Sequence, residues 1–276
     1  MSDFQERTES AVTRWLLVAI FGLGLVAQFV KPVGDALQDK AFLGGALLSL
    51  IGYALYSSVQ RLIAVSKPAV RDRVGSGELA EHLEDAFDER KVRIGFIGYT
   101  GETLVDQLAR RLERLKTHPG PTRNVEVRIL LPDFWEPNVL PGKLTAEGEV
   151  EDDPEFRAYL QSKIKDYRDS LERIKRVLDR AGVVDLEVEF RFFRMPALLK
   201  LYLLNDQLVF EGYYNKLEKT DFPFGASADR RILDPQGYNS TLTRWHPSGG
   251  KDAMEAIQAW REYFEEVWGL SRRAGW

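Results

Sequence analysis

Leu199-Lys200-Leu201-Tyr202-Leu203-Leu204-Asn205-Asp206-Gln207-Leu208-Val209-Phe210-Glu211-Gly212-Tyr213-Tyr214-Asn215 decides how this chain folds. Two apolar runs flank Asn205-Asp206, whose short polar side chains tolerate the backbone that a two-residue hairpin turn requires, so the segment reads as two antiparallel strands. Alternation puts Lys200 on the strand face that carries Leu198 and Tyr202, opposite Leu199 and Leu201. An ammonium among so many apolar neighbours needs water or a polar partner. Lys200 is therefore a candidate ligand contact, with a structural ion pair as the alternative.

Upstream, Val92 to Gly98 alternates and ends in glycine as a buried strand does, and Leu104, Leu108, Leu112 and Leu115 mark a helix. The turn between them, Gly98-Tyr99-Thr100-Gly101-Glu102-Thr103, presents backbone N–H groups at a helix N-terminus, where an anion is favoured. Gly98, Thr100 and Gly101 are candidate phosphate contacts on that ground, although the turn has neither P-loop spacing nor the full dinucleotide fingerprint. The structural alternative is that Thr100 caps the helix and Glu102 occupies the positive end of its dipole.

Val125 to Leu131 reads as a second strand, closed by Pro132-Asp133. Phe156, Leu160, Ile164, Tyr167, Leu171, Ile174 and Leu178 recur at three and four along a long helix that Gly182 ends. Leu186 to Phe193 is a further strand, and Asp252 to Leu270 a helix with an aromatic-rich face. Between Phe222 and Gly250 the chain is rich in Pro, Gly, Ser, Asp and Arg with little periodicity, so a lid or binding loop is expected there.

The 276 residues divide on this reading into three parts: 1–62 with two apolar spans, 63–90 as linker and short helix, and 91–276 as a soluble α/β domain. The first span runs from Trp15 to about Val33 and the second from Ala41 to about Tyr56, continuing to Leu62 if its Ser and Gln positions sit in the interface. Gly45 and Ser49, four apart, would allow close helix contact. Arg7 and Arg14 before the first span, and Arg61, Lys67, Arg71 and Arg73 after the second, place both termini in the cytoplasm. The expected location is integral to a plasma or inner membrane, with the lipid bilayer as partner. A net charge of −4 gives no support to general nucleic-acid binding, which shows a basic face, and leaves a local basic pocket open. The absence of cysteine excludes disulfides, thiolate metal sites and cysteine nucleophiles. The three histidines, His82, His118 and His246, have no metal-ligand spacing, so neither metal nor cofactor is expected.

With these residues in view, the segment resembles the phospholipase D superfamily, whose H-x-K-x(4)-D motif is followed by a strand ending in G-S-x-N. Leu198 stands at the histidine position, Lys200 at the lysine and Asn205 at the aspartate. The closing motif becomes Gly212-Tyr213-Tyr214-Asn215. The resemblance implies a mixed-sheet α/β sandwich over most of residues 91 to 270 behind the transmembrane helical hairpin. It also implies Lys200, Asn205 and Asn215 as contacts to phosphate oxygens. The family's histidine attacks phosphorus, and leucine has no lone pair to do so, so no catalytic residue is expected. The family pairs two such motifs and this chain has one clear copy, which implies a homodimer.

The expectation is a membrane-anchored, catalytically inactive sensor or scaffold for a phosphorylated small molecule or nucleotide. Three alternatives stand beside it. One is an active phosphodiesterase or nucleotide-processing enzyme using His246 or Glu102 in place of the missing histidine. Another is a purely protein-binding membrane module. The third is a Toll/interleukin-1-receptor-like domain, which Phe96 to Glu102 superficially resembles.

Overall fold

The computed structural model describes residues 51–53, 55, 59, 72–75, 78–222, 230–237 and 240–275. Two compact units divide the chain, Met1–Pro68 and Ala69–Trp276. In the first, the described residues are helical and fall within the second expected span. The first expected span, the remainder of the second, and the Gly45/Ser49 contact lie outside the described residues. Among the described residues, no helix is long and apolar enough to cross a membrane.

The second unit is a mixed sheet with helices on both faces. Its elements follow in the order β1 (Asp72–Gly75), α1 (Leu79–Ala86), β2 (Lys91–Ile97), α2 (Glu102–Leu115), β3 (Asn124–Pro132), β4 (Gly142–Leu144), β5 (Val150–Glu151) and α3 (Pro154–Ala181). Then come β6 (Asp185–Phe193), β7 (Leu199–Leu204), β8 (Leu208–Tyr213), β9 (Leu217–Asp221), β10 (Arg231–Pro235), β11 (Thr241–Trp245), α4 (Lys251–Leu270) and β12 (Arg272–Arg273). The main sheet has the order β1-β11-β8-β7-β2-β3-β6-β12, and a second, smaller sheet the order β5-β4-β10-β9. Among the described residues, only β2–β3 and β3–β6 pair in parallel. The central β7–β8 hairpin is antiparallel, which excludes the alternating parallel arrangement of a Toll-like domain.

Period-two alternation feeds two cores. On β7, Tyr202 and Leu204 join the core beneath α1, α2 and α3, whereas Leu201 and Leu203 join the one beneath α4. Leu104, Leu108, Leu112 and Leu115 of α2 are fully buried, and so are Ile164, Leu171 and Leu178 of α3. Local signals set the ends of α3. Asp153 caps it by accepting from the N–H groups of Glu155 (3.0 Å) and Phe156 (2.9 Å), Pro154 opens it, and Gly182 closes it in the left-handed conformation. The turn at Asn205 and Asp206 has φ of 52° and 57°, the geometry the hairpin reading required.

Two stretches differ from the sequence reading. Asp72–Gly75, expected in a linker, is an edge strand paired with β11, and Val74 on it is buried. Within the expected lid, β10 pairs with β9 and β4, while β11 lies between β1 and β8. These strands are five residues long, and Ile232 and Leu242 anchor them in the core. A single apolar anchor per strand is too little periodicity to read among prolines and charges.

The α4 layer depends on Phe264, which has no exposed surface and packs against Gly95 and beneath the guanidinium of Arg128. Phe264→Ala should destabilise the domain by about 3–5 kcal/mol in equilibrium urea unfolding, with the change in the midpoint rather than in the slope.

Candidate functional site

Register assembles the site. Strand β7 runs antiparallel to β2, with Phe96 opposite Tyr202 and Ile97 opposite Leu201. The N-terminal end of β7, where Lys200 sits, therefore lies beside the C-terminal end of β2 and the turn into α2. About a hundred residues of chain separate the two in sequence. A cavity of about 730 Å³ opens over this junction, and its lining includes Phe96, Tyr99 to Thr103, Lys200, Tyr202, Tyr214 and Asp234 to Gly237. α2 contributes Asp106, Gln107 and Arg110, and α3 contributes Tyr159 and Lys163.

Lys200 is almost wholly buried. Its Nζ donates to the carbonyl oxygen of Gly237 at 2.8 Å and lies 5.8 Å from the centre of the Tyr202 ring. The same carbonyl accepts from the Ser240 hydroxyl at 2.8 Å. Burial lowers the Lys200 ammonium from its ordinary 10.5 to about 8. Across the hairpin Lys200 faces Gly212, where a Cβ would meet Leu242 and the Thr241 carbonyl of β11.

Tyrosines fill out the site. The Tyr214 hydroxyl accepts from the Tyr99 backbone N–H at 2.9 Å, and the Tyr99 hydroxyl donates to Asp234 Oδ1 at 2.7 Å. Burial first, and then the neighbouring Asp234, push the Tyr99 phenol well above its usual value, so it holds its proton and stays a donor. Burial also raises Asp234, although the bond from Tyr99 and the charge of Lys163 act against it. Lys163 pairs with Glu102 at 3.7 Å. Its burial is outweighed by contacts with Tyr159 and Glu102, which leave its ammonium above the ordinary range. At the start of α2, Gly101 adopts φ 80° and no side chain caps the helix. Thr100 thus leaves the capping position to glycine and lines the cavity instead.

The structure separates the residues expected to act together. Lys200, Thr100 and Gly101 line the cavity, and so does Glu102. Gly98 does not line the cavity but the apolar groove beside Leu198, and a Cβ there would meet the Phe96 ring at 2.2 Å, so glycine is required for the ring to lie over the strand end. Asn205 sits at the far end of β7. There its Oδ1 accepts from the Arg93 N–H at 3.0 Å and its Nδ2 donates to the Ala86 carbonyl at 2.8 Å, fastening the hairpin to its surroundings. Asn215 is exposed, and Tyr214 takes the inward position of the closing motif. Leu198 precedes the strand, is half exposed and faces an apolar groove with Met195 and Tyr263 rather than the cavity.

None of the three histidines lines the cavity. His82 packs on Phe210, His118 contacts Thr117, and His246 is exposed and caps a short 3₁₀ turn. Among the described residues, no group of three His, Asp or Glu is arranged to hold a metal ion. Tyr202 and Tyr214 were readable from the alternation that marks Lys200. Asp234 and Gly237 carried no signal, because the strand that delivers them looked like loop.

No family model matches the chain, and no curated protein matches it. Among solved structures it is similar to Nuc from Salmonella typhimurium, a phospholipase D family member. The identity is 12%, over 73% of this chain and 94% of that one, with a TM-score of 0.32. A likeness of that size carries no argument about chemistry, which rests on the geometry above.

Two outcomes test these assignments. Asn205→Ala should cost about 2 kcal/mol of stability by removing two hydrogen bonds and a residue suited to positive φ, measured by chemical unfolding. Lys200 gives a pH signature. Its pKa is lower folded than unfolded, so between about 8 and 10.5 the unfolded chain binds more protons and stability rises with pH. Lys200→Met should remove that rise, read as the difference between the two unfolding profiles across this window.

Proposed function

We propose that the second unit is a catalytically inactive binding domain for a small phosphorylated ligand, with Lys200 and the open N-terminus of α2 as its anion contacts. The observation that carries the proposal is one cavity that gathers a buried ammonium, Thr100 and an uncapped helix N-terminus. Lysine and backbone N–H groups donate to phosphate oxygens without taking part in bond breaking. The lack of a histidine in the cavity supports binding without turnover, since the superfamily's nucleophile has no counterpart there. His246 is displaced from the cavity, and Glu102, the other candidate nucleophile, is engaged with Lys163. Asn205 and Asn215 have no place in the reading.

On the same proposal the apolar stretches of the N-terminal 62 residues anchor the domain to a membrane with both termini cytoplasmic. The single copy of the lysine motif favours a homodimer. The domain would then act as a sensor or scaffold whose occupancy is passed to the anchor.

Thermal unfolding of the full-length chain against inorganic phosphate, phospholipid headgroups, nucleotides and cyclic dinucleotides tests the site. A ligand present at a hundred times its Kd stabilises the native state by about 2.7 kcal/mol, which appears as an upward shift of a few degrees. Lys200→Met should weaken binding about tenfold or more through loss of a charged donor. Unchanged affinity in that variant would remove Lys200 from the site, and turnover of any phosphodiester by purified protein would overturn the inactive assignment.

A further inference from the structure

The cavity is more than an anion hole. Beside Lys200, Lys163 and Arg110 it is lined by four carboxylates, those of Glu102, Asp106, Asp221 and Asp234. A bare phosphate meets these as like charges, so the occupant must also bring hydrogen-bond donors. Aromatic rings form a further part of the wall. Phe222 lies 5.2 Å from Tyr159 and 5.0 Å from Phe156, centre to centre, making a contiguous aromatic surface where α3 meets the end of β9.

Two polar atoms give an independent indication. The hydroxyl of Tyr202, a residue with no exposed surface, and Oε1 of Gln107 are both buried without a hydrogen-bond partner among the described residues. Both residues line the cavity. Leaving such groups unsatisfied carries the full cost of their desolvation, and an occupant offering an acceptor to the Tyr202 O–H and a donor to Gln107 would recover it.

We propose that the ligand is a nucleotide, its phosphate held by Lys200 and the start of α2, its base packed on the Tyr159–Phe222 wall, and its N–H and O–H groups directed to Asp234 and Gln107. This assignment rests on the phosphate-binding reading above and narrows it. A nucleotide brings together an anion, a planar ring and several donors, which are the three complements the lining requires. Sugar phosphates and phosphorylated headgroups lack the ring. The volume of about 730 Å³ lies within the range of small-ligand sites, about 300–1,000 Å³.

Calorimetric titration of the full-length chain with AMP, GMP, CMP, UMP, ribose 5-phosphate and inorganic phosphate tests the proposal. At least one nucleotide should bind about tenfold tighter than ribose 5-phosphate, the gain expected from one base stacked on an aromatic ring. Tyr159→Leu should abolish that gap and leave ribose 5-phosphate unaffected, with Tyr159→Phe restoring it. Tyr202→Phe should weaken the nucleotide severalfold while keeping the fold, since it deletes only the hydroxyl. If ribose 5-phosphate equals the best nucleotide, the nucleotide assignment fails and the phosphate site stands. If no probe binds, both fail. Tight nucleotide binding that neither tyrosine substitution changes overturns the placement of the ligand.

Discussion

Everything about the cavity follows from β2 having neighbours of opposite direction. It runs parallel to β3 on one side and antiparallel to β7 on the other. A parallel neighbour requires a crossover, which supplies α2 and thus a helix N-terminus at the end of the strand. An antiparallel neighbour arrives from the reverse direction, so the start of β7 meets the end of β2. Had β7 joined in parallel, Lys200 would stand at the opposite edge of the sheet from Gly98 to Gly101. The anion-favouring turn and the buried amine are together because the sheet is mixed.

Burying that amine imposes requirements on distant parts of the chain. Desolvation of an ammonium is costly, and the lowered Lys200 pKa registers that cost. The described contacts that offset it are the Gly237 carbonyl, well downstream, and the ring of Tyr202 on the same strand. Gly237 is held in turn by Ser240, which is itself buried. The smaller sheet therefore does more than cover the cavity, since β10 leads directly into the carbonyl that receives Lys200 and carries Asp234 to Tyr99.

Legibility in the sequence followed the strength of local periodicity. The α2 leucines, the seven-position stripe of α3 and the Asn205-Asp206 turn are each specified within a few residues, and each element stands where those residues placed it. Strand β10 is specified by its partners, because Arg231-Ile232-Leu233-Asp234-Pro235 carries no alternation and becomes a strand through pairing with β4 and β9. The same distinction governs the site. Lys200 was conspicuous as a charge in an apolar strand, and Thr100 and Gly101 as a strand-to-helix turn. Asn205 and Asn215 entered through a resemblance of spacing alone, and neither lines the cavity: one fastens the hairpin and the other is a surface residue. Tyr99, Tyr214 and Asp234 form a chain across three separate segments, and such a chain exists only once the register is known.

Strand β1 sets where this fold begins. Its four residues cover the outer edge of β11, which on its other side pairs with β8, the partner of the strand that bears Lys200. A fragment cut within the expected linker, after Gly75, would strip that cover and leave β11 as a bare edge, its N–H and C=O groups free to pair with another molecule. The smallest piece that keeps β11 paired on both sides therefore starts no later than Asp72. The stretch that reads as a tether is part of the fold, and it leaves a four-residue strand rather than β11 at the edge of the sheet.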